Sequence, residues 1–263
     1  MSNPVFFTPA GTLDGQQPGS HFVLEGPEAR HAVTVKRLAV GEPVDIADGS
    51  GKRMTGIVTA AAPAELTVEC RTLEVEDPPG IRLVLVQALA KGDRDELAAE
   101  TATELGIDAV IPWQSERSIV RWKGERAAKA HAKWQSVVTA AAKQARRAWI
   151  PEVRDAVDTA GLQRTVSAAD LAIILHEDAV RPLRQVLETW RNSGLAPGDG
   201  EGNGDGASEV LLIVGPEGGI SPREVTKLCD AGAVTALLGH HVLRSSTAGP
   251  AATVLASDVL GRW

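Results

Sequence analysis

The sequence has little of what marks several large classes of protein. Its 263 residues include two cysteines, Cys70 and Cys229, too few for a disulfide framework and too far apart for a CxxC metal site. No apolar run approaches the roughly 20 residues that a membrane-spanning helix needs. The opening MSNPVFF lacks the basic stretch and long apolar run of a secretory signal. These absences favour a cytoplasmic protein with no bound metal and no membrane association.

Phosphate-binding glycine motifs are also missing. The Gly49–Lys52 stretch lacks the GxxxxGK[ST] spacing and predicts a turn instead. The residues QALAK at 87–91 stand where a dinucleotide-binding fold would need GxGxxG, which argues against an NAD- or nucleotide-dependent enzyme. The glycines of 194–206 follow no strand and alternate with acids, so we expect a mobile loop over 194–208.

The charge is unevenly distributed. The whole chain carries −7, which argues against a nucleic-acid partner. Between Arg117 and Arg147, however, nine basic residues face a single acid, Glu125, for a local charge of +8. Such a field can attract phosphates even on an acidic protein, although a solvated helix face would have the same composition.

The hydrophobic pattern changes near residue 75. Residues 1–75 contain short, partly alternating strands around one helix at 27–38, which predicts a small β-barrel. The acidic, proline-rich stretch at 74–80 is typical of a linker. From 80 to 263, strands alternate with helices, which predicts a second, α/β domain with a parallel sheet.

Two loops near the C-terminus are the clearest candidates for a binding site. GPEGG at 215–219 follows the apolar run 210–214, and LGHHVLRSSTAG at 238–249 follows 234–238. Between them Ser221, Pro222 and Glu224 predict a helix with a capping box that runs to about Asp230. A final helix is predicted over 251–260. Loops at the carboxyl ends of parallel strands are where open α/β sheets bind ligands, so we expect a small organic ligand held by backbone groups.

These motifs, with HAVTVKRLAVGE at 31–42, KGDRDELAAETATELGIDAVIP at 91–112, SERS at 115–118 and QARRAWIP at 144–151, resemble a known family. The chain is similar to the trefoil-knotted SPOUT methyltransferases that methylate N3 of a uridine in 16S ribosomal RNA. The resemblance implies a PUA-like RNA-binding β-barrel at 1–75, a knotted α/β methyltransferase domain at 80–263, and an antiparallel homodimer. It also implies S-adenosylmethionine as methyl donor and the small ribosomal subunit as partner.

Carried over by position, the resemblance assigns residues to the cofactor site. Many relatives have Glu where this chain has Ser246, so no acid is carried to that position and contacts to the cofactor through the backbone are implied instead. The cofactor site would comprise Leu175, His176, Glu177, Gly215, Pro216, Glu217, Gly218, Gly219, Leu238, Gly239, Leu243, Ser245, Ser246, Thr247 and Ala248. RNA would contact Arg30, Lys36, Arg37, Arg121, Lys143, Arg146 and Arg147.

The chemistry requires loss of the uracil imide proton and stabilisation of the resulting charge. The candidate catalytic residues are Arg244, Glu217, Arg117 and Arg147. Arg244 is the leading candidate to stabilise charge, although a surface ion pair with Glu217 is the alternative role. Glu217 and His176 are candidate bases by position alone. A non-catalytic RNA-binding protein that has kept the fold is a rival interpretation.

Overall fold

The computed structural model of the chain describes residues 3–194 and 207–263, which form two compact units. The first comprises Met1–Pro78 with Ala142–Ile150, and the second comprises Pro79–Ala141 with Pro151–Trp263. The return of 142–150 to the first unit has no counterpart in the division drawn from the sequence. The loop expected at 194–208 lies, from 195 to 206, outside the described residues. Within the described ranges, no helix is long and apolar enough to cross a membrane.

The first unit is a five-stranded sheet with one helix. The strands follow the order β1-β3-β4-β5-β2, antiparallel except that β1 and β3 are parallel. The edge strands β1 and β2 are not paired with each other in the described residues, so the predicted small barrel is a curled half-barrel. The elements are β1 (Val5–Phe7), β2 (His21–Glu25), α1 (Gly26–Arg30, continued by a π-helical turn at His31–Val35), β3 (Pro43–Ala47), β4 (Lys52–Ala62) and β5 (Glu65–Val75).

The segment 142–150 completes the first unit. Ala142 and Ile150 join an apolar cluster with residues of β1 and β3. The Trp149 indole N–H donates to the Glu76 carbonyl at 3.1 Å. Gly51 has φ +98°, and a Cβ there would lie 2.6 Å from the Trp149 ring. Glycine in the β3–β4 turn therefore provides both the left-handed backbone and the space for this segment.

The second unit is a parallel sheet with helices on both faces, as the alternating pattern predicts. Its strands follow the order β12-β10-β11-β6-β7-β8, and the short β9 also pairs with β7. The strands are β6 (Ile81–Ala88), β7 (Ala109–Gln114), β8 (Glu152–Val153), β9 (Val157–Asp158), β10 (Leu171–Leu175), β11 (Ser208–Val214) and β12 (Val234–Ala236). The helices are α2 (Arg94–Glu104), α3 (Glu125–Gln144), α4 (Thr159–Ala168), α5 (Leu183–Asn192), α6 (Pro222–Asp230) and α7 (Ser245–Val259).

Alternate side chains of the central strands fill two apolar layers. Val84 and Val86 of β6 pack with residues of α4 and α6 in one core cluster. Helices α2 and α5 both pack against α7, and α2 and α7 both contact β6. A strand buried on both faces must be apolar at nearly every position, which explains the continuous apolar runs of β6 and β11.

Helix α7 begins six residues earlier than the predicted start at 251. It starts at Ser245, and Pro250 lies inside it. Pro250 is the sixth residue of this helix and has no N–H to donate to the Ser246 carbonyl, so packing has to offset the missing hydrogen bond. The packing is close, because a Cβ on Gly249 would lie 2.8 Å from Leu85 Cδ1 of β6. The glycine thus lets the helix backbone approach the sheet.

The chain end is fastened beside the start of β7. The Arg262 guanidinium binds both carboxylate oxygens of Asp108, at 2.7 and 3.0 Å, and donates to the Gly106 carbonyl at 3.1 Å. Asp108 also accepts the Leu83 N–H at 2.8 Å. The two charged side chains are 16% and 10% exposed, so solvent screens the pair weakly. This contact holds the residues after α7 to β6 and β7.

Replacing Arg262 with alanine should therefore destabilise the protein. The change leaves Asp108 poorly solvated and without its guanidinium, so we expect a loss of about 2–3 kcal/mol in the free energy of unfolding. Urea unfolding measures it, with Arg184→Ala as control. Arg184 also pairs with an acid of α7, Asp258, but both side chains are exposed, at 52% and 60%. Equal losses in the two variants would contradict the role assigned to Arg262.

Candidate functional site

Three loops meet the same edge of the parallel sheet. Leu175 at the end of β10 lies beside Ala236 of β12, and Ile174 lies beside Ile213 of β11. Because these strands are parallel and adjacent, the loops at 175–177, 215–219 and 237–244 leave from neighbouring carboxyl ends. The structure thus brings together the three segments that the sequence assigned to a cofactor.

The GPEGG loop is a tight turn between β11 and α6. The Gly219 N–H donates to the Pro216 carbonyl at 2.9 Å, and Gly219 has φ +70°. A Cβ on Gly215 would lie 2.6 Å from Ile220 Cγ1. The loop therefore needs glycine where it leaves the strand, and its backbone follows a single compact path.

Helix α6 begins with the predicted capping box. Ser221 Oγ accepts the Glu224 N–H at 3.1 Å, and the Glu224 carboxylate accepts the Ser221 N–H at 3.3 Å. Glu224 is completely buried and also accepts the Thr159 hydroxyl at 2.6 Å and the Glu116 N–H at 2.8 Å. This one carboxylate thus joins the start of α6 to α4 and to the turn that contains Glu116.

That turn is the SERS motif, and it places Arg117 against the GPEGG loop. The buried hydroxyls of Ser115 and Ser118 are 2.9 Å apart, and Arg121 donates to the carbonyls of Ser115 and Glu116 at 3.0 and 2.9 Å. At the tip, Arg117 Nη1 donates to the Gly218 carbonyl at 2.8 Å. The guanidinium of Arg121, predicted to contact RNA, therefore holds this turn.

Glu217 is held by groups that the sequence analysis did not single out. Its Oε1 accepts the Lys91 N–H at 3.2 Å and Arg94 Nη1 at 3.1 Å. The possible ion pair with Arg244 is not formed. Arg94 and Lys91 belong to the KGDR stretch that follows β6, and β6 lies next to β11. The position of KGDR at a strand end was the signal that could have identified Arg94.

The backbone of the loop after β12 is open beyond Leu237. Leu237 exchanges hydrogen bonds with the segment before α5, donating to the Arg181 carbonyl and accepting the Leu183 N–H, both at 2.8 Å. In the described part of the chain, the backbone groups of residues 238–243 make no hydrogen bond. These residues offer a row of unpaired donors and acceptors, which is the chemistry that the sequence predicted for a backbone-bound ligand.

The start of α7 adds further unpaired polar groups beside that loop. The side-chain oxygens of Ser245 and Gln87 are buried and have no hydrogen-bond partner in the described residues. Ser245 and Gly249 lie one turn apart on the same face of α7, and Gln87 Oε1 lies 3.7 Å from the Cβ position of Gly249. Buried oxygens without partners are costly in a folded protein unless a bound molecule satisfies them.

Two further candidates at this edge, His176 and Arg244, differ in their surroundings. His176 donates its backbone N–H to the Ala236 carbonyl at 3.1 Å, and its Nδ1 accepts the Asp178 N–H at 3.2 Å, so it is part of a local turn. Arg244 is exposed at the start of α7 and makes no ion pair or side-chain hydrogen bond with the described residues. Its guanidinium is therefore available to a ligand.

The residues predicted to bind RNA fall into both units. Arg30, Lys36 and Arg37 are exposed on and just after the helix of the first unit. Lys143 is occupied within that unit, because its Nζ lies 2.6 Å from the Glu28 carboxylate and 4.7 Å from the Phe6 ring centre.

Four arginines in the predicted sets are divided between the two units. Arg146 and Arg147 belong to the first unit, whereas Arg117 and Arg121 belong to the second. Arg146 is exposed, has φ +58°, and accepts an Arg53 hydrogen bond on its carbonyl at 2.6 Å. The +8 segment is therefore divided between the units.

Comparison with known protein families agrees with this arrangement. An RNA methyltransferase domain family matches residues 77–257, and an RNA methyltransferase PUA domain family matches residues 24–69. The chain belongs to the RNA methyltransferase family. Its PUA match falls in the first unit, and its methyltransferase match covers the parallel sheet and most of α7.

Relatives of this RNA methyltransferase carry a more specific name. The ribosomal RNA small subunit methyltransferase E of Mycobacterium bovis is 37% identical over 251 residues, 93% of this chain and 89% of the relative. That of Bacillus subtilis is 29% identical, over 86% of each chain. The crystal structure of the Neisseria gonorrhoeae enzyme of that name, bound to S-adenosyl methionine, is 26% identical, with a TM-score of 0.78 over 98% of both chains.

A buried carboxylate beside this site should make stability depend on pH. Asp95 is 5% exposed and accepts the Ala90 and Glu96 N–H groups at 3.1 and 2.9 Å. Burial raises the pKa of this carboxyl above its ordinary value. As pH rises, the unfolded chain loses this proton first, so the carboxyl favours folding below its ordinary pKa. That contribution declines as pH rises to the folded pKa.

The variant Asp95→Asn removes this titration and keeps one oxygen that can accept the Ala90 N–H. The stability of the wild type relative to D95N should therefore fall as pH rises from about 4, and then level off. Urea unfolding at a series of pH values measures the difference. Parallel profiles for the two proteins across this range would show that burial of Asp95 does not perturb folding.

Proposed function

We propose that this protein transfers a methyl group from S-adenosylmethionine to N3 of a uridine in 16S ribosomal RNA. The observation that carries the proposal is the set of three loops at one edge of the parallel sheet, with the unpaired backbone of 238–243 among them. Relatives named for ribosomal RNA small subunit methylation support the RNA class. The choice of uridine N3 rests on the resemblance of GPEGG, LGHHVLRSSTAG and the other motifs.

The cofactor fits the groups present at this edge. The adenine and amino-acid portions of S-adenosylmethionine need many hydrogen bonds, and the loops at 175–177, 215–219 and 238–248 offer backbone donors and acceptors. The unpaired oxygens of Ser245 and Gln87 are two further acceptors. Ser246 takes the place of the family's usual glutamate, so we assign the binding to backbone groups and shape. When bound, the cofactor supplies an electrophilic methyl group on a sulfonium.

The chain's own residues have to orient the uracil and stabilise its charge. Loss of the N3 proton leaves negative charge on O2 and O4, and a nearby guanidinium favours that state. We assign this role to Arg244, which has no protein partner among the described residues. Arg117 supports the GPEGG loop through the Gly218 carbonyl. The engaged carboxylate of Glu217 makes it a poor candidate for the base, and Arg147 is assigned to RNA.

The two units would divide the work. We propose that residues 1–75, with 142–150, hold the RNA around the target, and that the rest of residues 80–263 carries out the transfer. N3 lies on the base-pairing edge of uracil, so the nucleotide must be unpaired or extruded before it reacts. Action on ribosomal RNA would place the protein in the cytoplasm. The proposed transfer involves no metal ion.

The trefoil knot and the antiparallel homodimer are part of the same proposal. Support for the knot comes from the path of α7, which follows the edge strand β12 but packs on β6 and β11, beyond β10. Limited proteolysis combined with a refolding series would test the knot, and sedimentation would test the dimer.

The reaction itself has a direct test. Mapping N3-methyluridine in 16S RNA from cells with and without this protein should show one methylated position that disappears with the gene. An unchanged map would overturn the uridine-N3 assignment. Calorimetry with S-adenosylmethionine separates the rival, because a non-catalytic RNA-binding protein would bind RNA without the cofactor.

Arg244→Ala should lower the methylation rate by about 100-fold, as expected for loss of one charge-stabilising donor. The affinity for the cofactor, measured by calorimetry, should change little, because the change leaves the loop backbone intact. Arg164→Ala, on the exposed side of α4, is the matched control and should retain full activity. Full activity in R244A would mean that another residue stabilises the charge.

RNA binding should depend on the exposed basic side chains of the first unit. Reversing the charges of Arg30, Lys36 and Arg37 should weaken RNA binding and reduce its dependence on salt, while cofactor affinity stays constant. Filter binding at several salt concentrations measures this. Lys143→Glu should instead lower the melting temperature, since it places a carboxylate beside Glu28. RNA affinity unchanged by the triple reversal would remove this surface from the proposal.

A further inference from the structure

One carboxylate of the GPEGG loop, that of Glu217, binds both the loop between β6 and α2 and the first residue of α2. Glu217 accepts the Lys91 backbone N–H and the Arg94 guanidinium on the same oxygen, Oε1. Its side chain is 29% exposed, against 52% for Arg94. The contact spans more than 120 residues of sequence and joins the carboxyl ends of two adjacent strands, β6 and β11.

A second contact, from the SERS turn, also holds the loop. Arg117 Nη1 donates to the Gly218 carbonyl at 2.8 Å, and the Glu224 carboxylate holds the SERS turn by accepting the Glu116 N–H. Two adjacent residues of GPEGG are therefore tied in different directions, one through its side chain and the other through its backbone. The Gly219–Pro216 hydrogen bond closes the turn internally. The backbone groups of the loop that take no part in these contacts remain available to a ligand.

We infer that Arg94 is a positioning residue for cofactor binding, acting through Glu217 to hold the GPEGG backbone in its binding conformation. This inference rests on the proposed cofactor site. In this arrangement the role of Glu217 is to accept two donors, and it takes no part in proton transfer. We call the contact of Arg94 with Glu217 the clamp. Holding a loop in its bound shape before the ligand arrives reduces the ordering cost of binding, so the clamp should raise the affinity for the cofactor.

The expected effects differ in size for the two partners. Arg94→Ala breaks a partly exposed ion pair and should weaken S-adenosylmethionine binding about two- to fivefold. Glu217→Ala also removes the acceptor of the Lys91 N–H and should weaken it by about tenfold or more. Arg94→Lys, which keeps the charge, should restore part of the affinity. Glu217→Gln keeps an acceptor oxygen and should fall between wild type and Glu217→Ala.

The decisive experiment is a double-mutant cycle measured by calorimetry with S-adenosylmethionine. If Arg94 acts through Glu217, adding Arg94→Ala to Glu217→Ala should cause no further loss of affinity. Arg82→Ala is the matched control, because Arg82 forms ion pairs with Glu152 and Glu209 at the start of β6, the opposite edge of the sheet. It should leave the affinity unchanged, and melting temperatures should show that all variants are folded.

The outcomes separate the clamp from the function. A wild-type protein that fails to bind S-adenosylmethionine would overturn the proposed function and the clamp together. Wild-type binding with unchanged affinity in Arg94→Ala and Glu217→Ala would overturn the clamp alone. Additive losses in the double variant would show that Arg94 acts independently of Glu217, and this too would overturn it.

Discussion

The buried carboxylate of Glu224 is the contact on which the candidate site depends most. It accepts N–H and O–H donors from the start of α6, from α4 and from the SERS turn, with no exposure to solvent. A buried carboxylate is tolerated only where several donors satisfy it. Because the donors come from three segments, this carboxylate joins the three into one assembly at the edge of the sheet that carries the candidate site. The position of Arg117 against Gly218 follows from this contact.

Local signals in the sequence identified much of this assembly. The capping box of α6 depends on residues three apart, so Ser221, Pro222 and Glu224 were enough to predict it, and the helix ends at Asp230 as expected. The apolar run at 210–214 and the parallel sheet were equally evident, because strands buried on both faces are continuously apolar. The short β1, β8 and β9 and the helix α4 were not predicted. Strands of two or three residues are too short to show a periodicity.

The features that were missed depend on contacts between distant residues. Gly249-Pro250 resembled a helix start, but contact between Gly249 and Leu85 draws α7 onto β6, and the helix begins at Ser245. The partner of Glu217 depends on β11 lying beside β6, which no local pattern reveals. The charge of the +8 segment is partly compensated for the same reason. Lys133 pairs with Glu96, and Lys143 pairs with Glu28.

The return of residues 142–150 to the first unit determines how this protein can be divided into fragments. A polypeptide that stops at Pro78 would leave the apolar cluster on β1 and β3 without Ala142 and Ile150, and the Glu76 carbonyl without the Trp149 indole. Such a fragment would expose the apolar surface of this cluster to solvent and tend to self-associate. A soluble version of the first unit has to carry the second piece, joined by a short linker or supplied as a separate peptide. The two units are thus interleaved in the gene, and an exchange of the whole first unit between relatives would need three crossover points, after residues 78, 141 and 150.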